Sequence, residues 1–274
     1  MLRIFTDTAA NVPPHLLEQY HITAMPLTYL LDGQPTELVG HDYYEAMRKG
    51  AEVKTSLVSP ALIRDTMESA LKDGDDVLYI AISGGISGTC WSAELMAEEL
   101  RGEYPDRMIR VLNTCGASLG EGLVVLEAAK MLEKGCTADE IIRQAEENCG
   151  RMRQFFMVDD LKYLRRGGRI SAAAQVAGSL LKIKPILQSD PEGHIIQHSK
   201  VRGQLKAMET LAELYKEYAV DGTRTVGIAH ADCPDGALRL QAKLRDAGQT
   251  GEILSVCYEP VSYTHLTLPT KLEV

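Results

Sequence analysis

Residues 77–93 of this 274-residue chain read VLYIAISGGISGTCWSA. The stretch begins as a continuous apolar run, which is typical of a strand buried on both faces of a sheet. Glycines and serines stop the run at Ser83, and a helical pattern begins at Thr89. A buried strand that passes through a small-residue turn into a helix is the repeating element of a parallel sheet covered by helices. The stretch therefore predicts an α/β fold.

The same alternation extends through the first half of the chain. LRIFTD at 2–7 and RMIRVLNT at 107–114 have the pattern of strands, and SPALIRDTMESALKDG at 59–74 has that of a helix. Thr137 and Glu140 form a capping box at the start of a further helix, because each side chain can bond the other residue's amide. We therefore predict a first α/β domain over residues 1–153 with a mainly parallel sheet.

The second half predicts a different sheet. KIKPILQSDPEGHIIQHSKV at 182–201 has the pattern of two strands joined by a DPEG turn, and it is followed by helix, strand, helix and strand. We predict a second α/β domain over 154–274 with a mixed sheet. The end of the chain, residues 262–274, lacks the glycines and the apolar strand expected to close such a domain, and we expect a truncated or non-native tail there.

Composition and charge exclude several classes of protein. The net charge of -9 argues against nonspecific nucleic-acid binding, which depends on a positive field. The sequence has no apolar run of the ~20 residues that a membrane helix needs, and its start lacks the apolar core of a signal peptide. We expect a cytoplasmic protein with at most transient membrane contact. Its six cysteines form no CxxC pair, so we expect reduced thiols, without a disulfide framework or a metal site.

Four hydroxyl-bearing segments follow predicted strands or precede predicted helices. They are Asp7-Thr8, KTSLVSP at 54–60, the loop at 83–89, and NTCGASLGEG at 113–122. The carboxyl ends of parallel strands meet at one edge of a sheet, and helix N-termini attract anions. The loop at 83–89 matches neither GxxxxGK[ST] nor GxGxxG, and it has no lysine for a triphosphate. A carboxylate fits these groups, although serine and threonine at such positions also serve simply as helix caps.

Two later features remain open from the residues alone. Arg165, Arg166 and Arg169 surround a glycine pair, and Lys200 and Arg202 follow at the end of a predicted strand. They predict either a phosphate- or partner-docking patch or a solvated turn. The stretch at 172–187, AAAQVAGSLLKIKPIL, can line an apolar cavity or form ordinary core. Neither HExxH nor a Gly-x-Ser-x-Gly elbow is present in the sequence.

These segments together resemble one known family. In their order and spacing the chain is similar to the DegV family of bacterial fatty-acid-binding proteins over nearly its whole length. The segments that carry the resemblance are FTDTAANVP (5–13), VKTSLVSP (53–60), ISGGISGTCWSA (82–93), VLNTCGASLGEG (111–122), MVDDLKYLRRGGRIS (157–171), LLKIKPIL (180–187) and KVRG (200–203).

The resemblance implies a ligand and the residues that bind it. It implies two α/β domains with a long-chain fatty acid in an apolar tunnel between and within them. The carboxylate is then held by Thr55 and Ser87, with Ser56 beside them and the amides of Gly85 and Gly88 near the head group. A family histidine falls in register with His265, where Leu266, Thr267 and Leu268 replace the family's Thr-Gly-Pro.

The resemblance also implies a partner. Family members present the fatty acid to a fatty acid kinase, which phosphorylates the carboxylate, and the acyl phosphate enters phospholipid synthesis. Arg169 and Arg202 are then the expected docking or phosphate contacts. The protein itself is expected to be a carrier without catalytic residues, metal or cofactor. Two alternatives remain: a stand-alone phosphotransferase or hydrolase with Asp7 as a metal-binding acid, and a regulatory or structural binding module without lipid.

Overall fold

The computed structural model describes residues 1–159, 161–170, 183–257 and 270–273, and it divides the chain into two compact units. The first unit contains Met1–Thr28, Ser56–Arg151 and Pro191–Gly193. The second contains Tyr29–Thr55, Met152–Asp190 and His194–Val274. Residues 29–55, which the sequence analysis assigned to the first domain, are thus part of the second unit. The division at 153 and 154 into two domains remains a prediction.

The bounds of the elements agree with most of the predicted pattern. The strands are β1 (Leu2–Asp7), β2 (Thr23–Met25), β3 (Thr28–Leu31), β4 (Gln34–Pro35), β5 (Val53–Ser56), β6 (Asp76–Ala81), β7 (Ile109–Asn113), β8 (Gln154–Met157), β9 (Ile183–Ser189), β10 (Ile195–Arg202), β11 (Val226–His230), β12 (Ile253–Cys257) and β13 (Thr270–Glu273). The α-helices are α1 (Pro14–Gln19), α2 (Gly40–Arg48), α3 (Pro60–Lys72), α4 (Thr89–Glu103), α5 (Leu119–Glu133), α6 (Ala138–Arg151), α7 (Lys162–Arg166), α8 (Gln204–Tyr218) and α9 (Pro234–Asp246).

The first unit is built on a parallel sheet in the order β2-β1-β6-β7. β6 is the central apolar run of the opening stretch, and Val77 to Ala81 are all buried. Such burial is expected when helices cover both faces of a parallel sheet. The register aligns Phe5 with Tyr79 and Ala81 with Asn113, so the three neighbouring strands end at one edge. This arrangement confirms the prediction of a parallel first sheet.

Helix α5 is unusual among these elements because it is apolar on nearly all sides. Its buried residues run almost without interruption from Leu119 to Ala129. A helix of this kind is packed on several faces rather than along a single stripe. Any polar side chain in its first turns is therefore placed inside the first unit.

The second unit contains a mixed sheet in the order β10-β9-β8-β13-β11-β12. β11 and β12 are parallel, whereas the β8–β9 and β9–β10 pairs are antiparallel. Phe155, Leu211, Ile228 and Leu240 belong to its apolar core. The predicted mixed sheet and the hairpin around the DPEG turn are both confirmed. A separate small sheet joins β3 to β4 and β5.

The last described strand corrects one expectation. The backbone of β13 pairs with β8 on one side and with β11 on the other, both antiparallel. The expectation that the end of the chain supplies no closing strand is therefore wrong for 270–273. The polar segment TKLE gave no apolar signal, but a strand is recognised by backbone pairing whatever its side chains. No helix in the described parts of the chain is long and apolar enough to cross a membrane.

Candidate functional site

Three of the predicted hydroxyl-bearing segments meet at one edge of the parallel sheet. Asp7 ends β1, Ser83 follows β6, and Asn113 ends β7. The amide of Ile82 donates to Asp7 Oδ2 at 3.1 Å, and the amide of Gly84 donates to Asn113 Oδ1 at 3.1 Å. These bonds tie the loop after β6 to the ends of both neighbouring strands. The polar residues at this sheet edge are thus joined by hydrogen bonds into one site, as the strand order predicts.

Several hydroxyls at this edge bond to the protein itself. Thr114 Oγ1 donates to the carbonyl of Ala81 at 2.8 Å. Ser83 Oγ donates to the carbonyl of Gly193 at 2.8 Å and accepts the Gly85 amide at 3.0 Å. Gly193 lies in the turn Pro191–Gly193, which is part of the first unit. Because Ser83 and Thr114 already have internal acceptors, they hold loops in place rather than offering a hydrogen to a ligand.

Ser87 differs from these residues. Its Oγ accepts the Thr89 amide at 3.2 Å and lies 3.0 Å from Thr89 Oγ1. Thr89 Oγ1 in turn accepts the amide of Val58 at 3.3 Å. When Thr89 donates its hydroxyl hydrogen to Ser87, the hydrogen of Ser87 is available for an acceptor outside the loop. The half-buried Ser87 can therefore cap the start of α4 and also bind an anion.

Gly88 and Gly85 occupy distinct positions in this loop. Gly88 is the exposed N-cap residue of α4, where the first helical amides begin. A Cβ on Gly88 would lie 3.2 Å from Leu57 Cδ2, and a Cβ on Gly85 would lie 2.7 Å from the Gly193 carbonyl carbon. Both glycines therefore allow a close approach of neighbouring chain. The assignment of their amides to a ligand head group remains a prediction.

The segment that contains Thr55 and Ser56 leads to the same loop. Both residues end β5, where Thr55 is half-buried and Ser56 is exposed. Thr55 is counted in the second unit and Ser56 in the first. Within the first unit, the bond from Val58 to Thr89 fixes the residues after Ser56 against the start of α4. The roles of Thr55 and Ser56 as carboxylate ligands remain predictions.

Asp7 is completely buried and already has partners for both of its oxygens. Oδ1 accepts the Ala9 amide at 3.0 Å, and Oδ2 accepts the Ile82 amide. Burial raises the pKa of Asp7 from 3.8 to about 6, although the hydrogen bonds from the backbone amides of Ile82 and Ala9 act in the opposite direction. Asp7 therefore holds the ends of two strands together. This geometry does not suit the metal-binding role that an enzyme at this site would require of it.

Glu121 is the functional candidate that the sequence analysis missed. It lies in the first turn of α5, is fully buried, and accepts the Thr6 hydroxyl on Oε1 at 3.0 Å. One signal was visible in the sequence, namely an acid between two glycines at the start of a helix whose first two turns are otherwise apolar. Since a helix apolar on all sides is buried, an acid within it needs an internal partner.

Ser118, which precedes α5, adds a strained position to this edge. Its φ of 58° and ψ of -142° are unusual for a residue other than glycine. Its amide donates to the carbonyl of Ala9 at 2.8 Å, and its buried hydroxyl has no hydrogen-bond partner among the residues that the structure describes. The backbone bond to Ala9 fixes the start of α5 against the loop after β1.

The cysteine nearest the loop is not poised for nucleophilic chemistry. Cys90 is buried in the first turn of α4, and burial raises the pKa of its thiol to about 12. The thiolate is the reactive form of cysteine, so this thiol is inert at neutral pH. The same effect raises the pKa of Cys149 to about 12. Among the described residues, no group of three or more His, Cys, Asp and Glu side chains is arranged to hold a metal ion.

The predicted docking arginines are both in the second unit. Arg202 is exposed at the end of β10, opposite Ile183 of β9. Arg169 is half-buried after α7, and its guanidinium donates to the carbonyl of Gly167. Their docking role remains a prediction. His265, expected as a head-group ligand, lies outside the described residues, and so do residues 172–182 of the stretch at 172–187 that can line a cavity or form core. Residues 183–187 of that stretch belong to β9.

Comparison with known proteins identifies relatives over the whole described fold. A family model described as "Uncharacterised protein, DegV family" matches residues 1–268. A DegV domain-containing protein of Clostridium perfringens is 36% identical over 258 residues, which cover 92% of this chain and 89% of the relative.

Solved structures resemble the chain equally widely. A DegV family protein from Thermus thermophilus, whose structure is described for its fatty acid binding, superposes with a TM-score of 0.88 at 29% identity and covers 99% of this chain and 98% of its own. DegV from Bacillus subtilis, described as a fatty acid binding protein, superposes with a TM-score of 0.87 at 28% identity and covers 99% and 98% of the two chains. Fold and resemblance therefore agree.

Proposed function

The chain belongs to the DegV family, and from this membership and the geometry of the Ser87 loop we propose that it binds a long-chain fatty acid. The carboxylate lies at Ser87 and Thr55, with Ser56, the amides of Gly85 and Gly88, and His265 around the head group. The acyl chain lies in an apolar tunnel. The related proteins of Thermus thermophilus and Bacillus subtilis, both described as binding fatty acids, support this choice of ligand.

The observation that carries the proposal is the hydrogen-bond chain that ends at Ser87. Val58 donates its amide hydrogen to Thr89 Oγ1, and when Thr89 donates its own hydroxyl hydrogen to Ser87, the hydrogen of Ser87 is left for an outside acceptor. A carboxylate accepts such a hydrogen without needing a lysine. In the described part of the chain, the partners of Ser87 are the hydroxyl and amide of Thr89, and neither is a base that would make Ser87 a nucleophile.

The two ends of the ligand contribute differently to binding. Each methylene removed from water contributes ~0.8 kcal/mol, so a chain of about fifteen methylenes gains on the order of 10 kcal/mol before ordering costs. A charge-assisted hydrogen bond adds about 1.5–3 kcal/mol. We therefore expect the acyl chain to set affinity, whereas the hydroxyls select a carboxylate over other head groups.

Replacement of Ser87 tests the head-group assignment. We expect Ser87→Ala to lower the affinity for a long-chain fatty acid about tenfold, because one charge-assisted bond is lost. The affinity for the fatty alcohol of the same length should change much less, since the alcohol carries no charge. Titration of both ligands into protein freed of lipid measures the two effects, and mass spectrometry of the purified protein under denaturing conditions shows whether a fatty acid accompanies it.

The control for this variant is Ser92→Ala, in helix α4 directly after the loop but outside the site. It should bind both ligands as the wild type does. Equal losses for acid and alcohol in Ser87→Ala would place the carboxylate elsewhere. Absence of any fatty acid after gentle purification, together with no binding of added acid by the wild type, would remove the proposed function itself.

We further propose that the bound carboxylate is phosphorylated by a partner fatty acid kinase, with Arg169 and Arg202 at the docking surface. The guanidinium group of arginine pairs well with phosphate and with acidic surfaces. The protein then acts as a carrier that supplies acyl phosphate for phospholipid synthesis. We propose that this reaction takes place in the cytoplasm, where a kinase would find ATP.

A kinase-coupled assay separates docking from lipid binding. We expect Arg202→Ala to slow phosphoryl transfer about tenfold while the protein keeps its fatty acid, because one interfacial charge contact is lost. Arg224→Ala, at another arginine of the second unit, is the matched control. Turnover of ATP or of an acyl ester by the isolated protein would instead support the phosphotransferase or hydrolase alternative. A partner that transfers phosphate equally well to both variants would exclude Arg202 from docking.

A further inference from the structure

Trp91, the single tryptophan of the chain, bonds back to the loop that carries Ser87. The residue is 66% exposed, yet its indole Nε1 donates to the carbonyl of Gly84 at 3.3 Å. Trp91 is the third residue of α4, which begins at Thr89. Because side chains in a helix tilt towards its N-terminus, a long side chain at this position reaches back over the turn before the helix. The indole therefore contacts the loop that precedes its own helix.

Gly84 is held from two sides by side chains of different elements. Its amide donates to Oδ1 of Asn113, at the end of β7, at 3.1 Å, and its carbonyl accepts the Trp91 indole hydrogen. A Cβ on Gly84 would lie 2.8 Å from Trp91 Nε1 and 3.2 Å from Asn113 Nδ2. The exposed indole is free to swing outward, so a residue larger than glycine at this position would push it away from the loop.

The turn that contains Gly84 also contains Ser87. The carbonyl of Ser83 accepts the amides of Ile86 at 3.2 Å and Ser87 at 3.0 Å, which closes a turn over these residues. On its other side, Ser87 Oγ accepts the Thr89 amide at 3.2 Å. Gly84 follows Ser83 directly, so a side chain that holds Gly84 also holds the turn in which Ser87 is the last residue.

We propose that Trp91 is a positioning residue, which holds the turn at Gly84 and thereby places the Ser87 hydroxyl for the ligand carboxylate. Its effect on the ligand passes through Ser87. A hydrogen bond at an exposed site competes with water, so its loss should loosen the turn without unfolding the chain. The effect of Trp91 on fatty acid binding rests on the proposed function, whereas its effect on the turn does not.

Replacement of the indole tests this role. Trp91→Phe removes the indole N–H and keeps an aromatic ring at the same position. We expect the variant to bind a long-chain fatty acid about fivefold more weakly than the wild type, because the Ser87 hydroxyl is less well placed. The affinity for the fatty alcohol of the same length should stay within about twofold, since the alcohol carries no charge. Equal losses for acid and alcohol, measured by titration into protein freed of lipid, would overturn the proposal.

A double variant shows whether Trp91 acts through Ser87. In a Ser87→Ala background, Trp91→Phe should change the fatty acid affinity by less than about twofold, because the hydroxyl that it positions is already absent. Independent roles would instead multiply the tenfold and fivefold losses, to roughly fiftyfold. A loss of that size in the double variant would overturn the proposal.

Gly84→Ala disturbs the same contact from the opposite side. We expect it to lose at least as much fatty acid affinity as Trp91→Phe, and we expect Trp91→Phe to cause no further loss in the Gly84→Ala background. Leu95→Ala is the matched control, because Leu95 is 61% exposed and lies one turn further along α4. It should bind as the wild type does. A loss in Leu95→Ala equal to that in Trp91→Phe would assign the effect to the exposed apolar side of α4 and overturn the proposal.

Hydrogen exchange without any ligand tests the contact between the indole and the turn. The amides of Ile86 and Ser87 should exchange about fivefold faster in Trp91→Phe than in the wild type, because the turn that protects them is held less firmly. The amides of β6 should exchange at the wild-type rate. Unchanged exchange at Ile86 and Ser87 would overturn the proposal. If the wild type bound no fatty acid, the proposed function would fail, and the exchange rates would still decide whether Trp91 holds the turn.

Discussion

Gly193 occupies the most closely packed turn of the first unit. Its φ is +82°, a value that favours glycine. A Cβ at this position would overlap the Ser83 hydroxyl oxygen and lie 2.9 Å from the Cα of Cys115. The bond from Ser83 to the Gly193 carbonyl is formed in the same contact. The turn and the loop after β6 therefore approach each other so closely that no side chain fits between them.

Substitution of this glycine measures how much that contact stabilises the fold. We expect Gly193→Ala to lower the free energy of unfolding by about 1–2 kcal/mol for the left-handed backbone and by about 1–3 kcal/mol more for the overlap. Gly33→Ala is the matched control, because Gly33 has a φ of +80° and a Cβ there would meet no atom within 4 Å. Urea unfolding of both variants gives the difference, and equal losses would mean that the loop moves aside without cost.

The roles of individual hydroxyls show what a sequence leaves undecided at this scale. Ser83, Ser87 and Thr114 all follow a strand and all qualify as ligand donors or as caps. Ser83 bonds to Gly193, a residue 110 positions away, and Thr114 bonds to Ala81 of the neighbouring strand. Such partners are set by tertiary structure, so sequence spacing can identify the set of hydroxyls but not the one that remains able to donate.

At the scale of elements, local signals were reliable where the stabilising contacts are themselves local. Thr137 and Glu140 form the predicted capping box: the Thr137 amide donates to Glu140 Oε2 at 2.9 Å, and the Glu140 amide donates to Thr137 Oγ1 at 3.4 Å. The DPEG turn joins β9 and β10 as predicted, and Gly193 adopts the left-handed conformation that such a turn uses. Each of these features depends on residues within a few positions of one another.

Strand boundaries were harder to predict where one continuous apolar run contains two strands that belong to different sheets. The apolar run HITAMPLTYLL at 21–31 is continuous in the sequence, yet it forms β2 of the parallel sheet and β3 of the small sheet. Pro26 separates the two, since proline lacks the amide needed for regular pairing. The amide of Leu27 then donates to Thr8 Oγ1 at 3.1 Å, a contact 19 residues away along the chain.

At the scale of the whole molecule, the alternation of strands and helices was sufficient to predict an α/β fold with a parallel and a mixed sheet. It was sufficient because burial on two faces imposes a continuous apolar strand, as in β6. The assignment of residues 29–55 to the second unit was not predictable in this way. Ion pairs such as Arg48 to Asp232, at 2.5 Å, join residues far apart in the sequence and follow no local pattern.

Removal of the ligand should lower the thermal stability of the whole chain. A ligand that binds only the folded state stabilises it by RT ln(1 + [L]/Kd), or about 2.7 kcal/mol at a free concentration one hundred times Kd. For a chain of this size each kcal/mol changes the melting temperature by about 2–4 °C, so protein freed of lipid should melt roughly 5–10 °C below protein reloaded with a long-chain fatty acid. Calorimetry on the two preparations measures the difference.

A short-chain acid at the same concentration is the control, because it offers the same carboxylate to Ser87 without the apolar chain that supplies most of the binding free energy. Equal stabilisation by both acids would show that the carboxylate alone is recognised, and no stabilisation by the long-chain acid would contradict the proposal that the folded protein encloses an acyl chain.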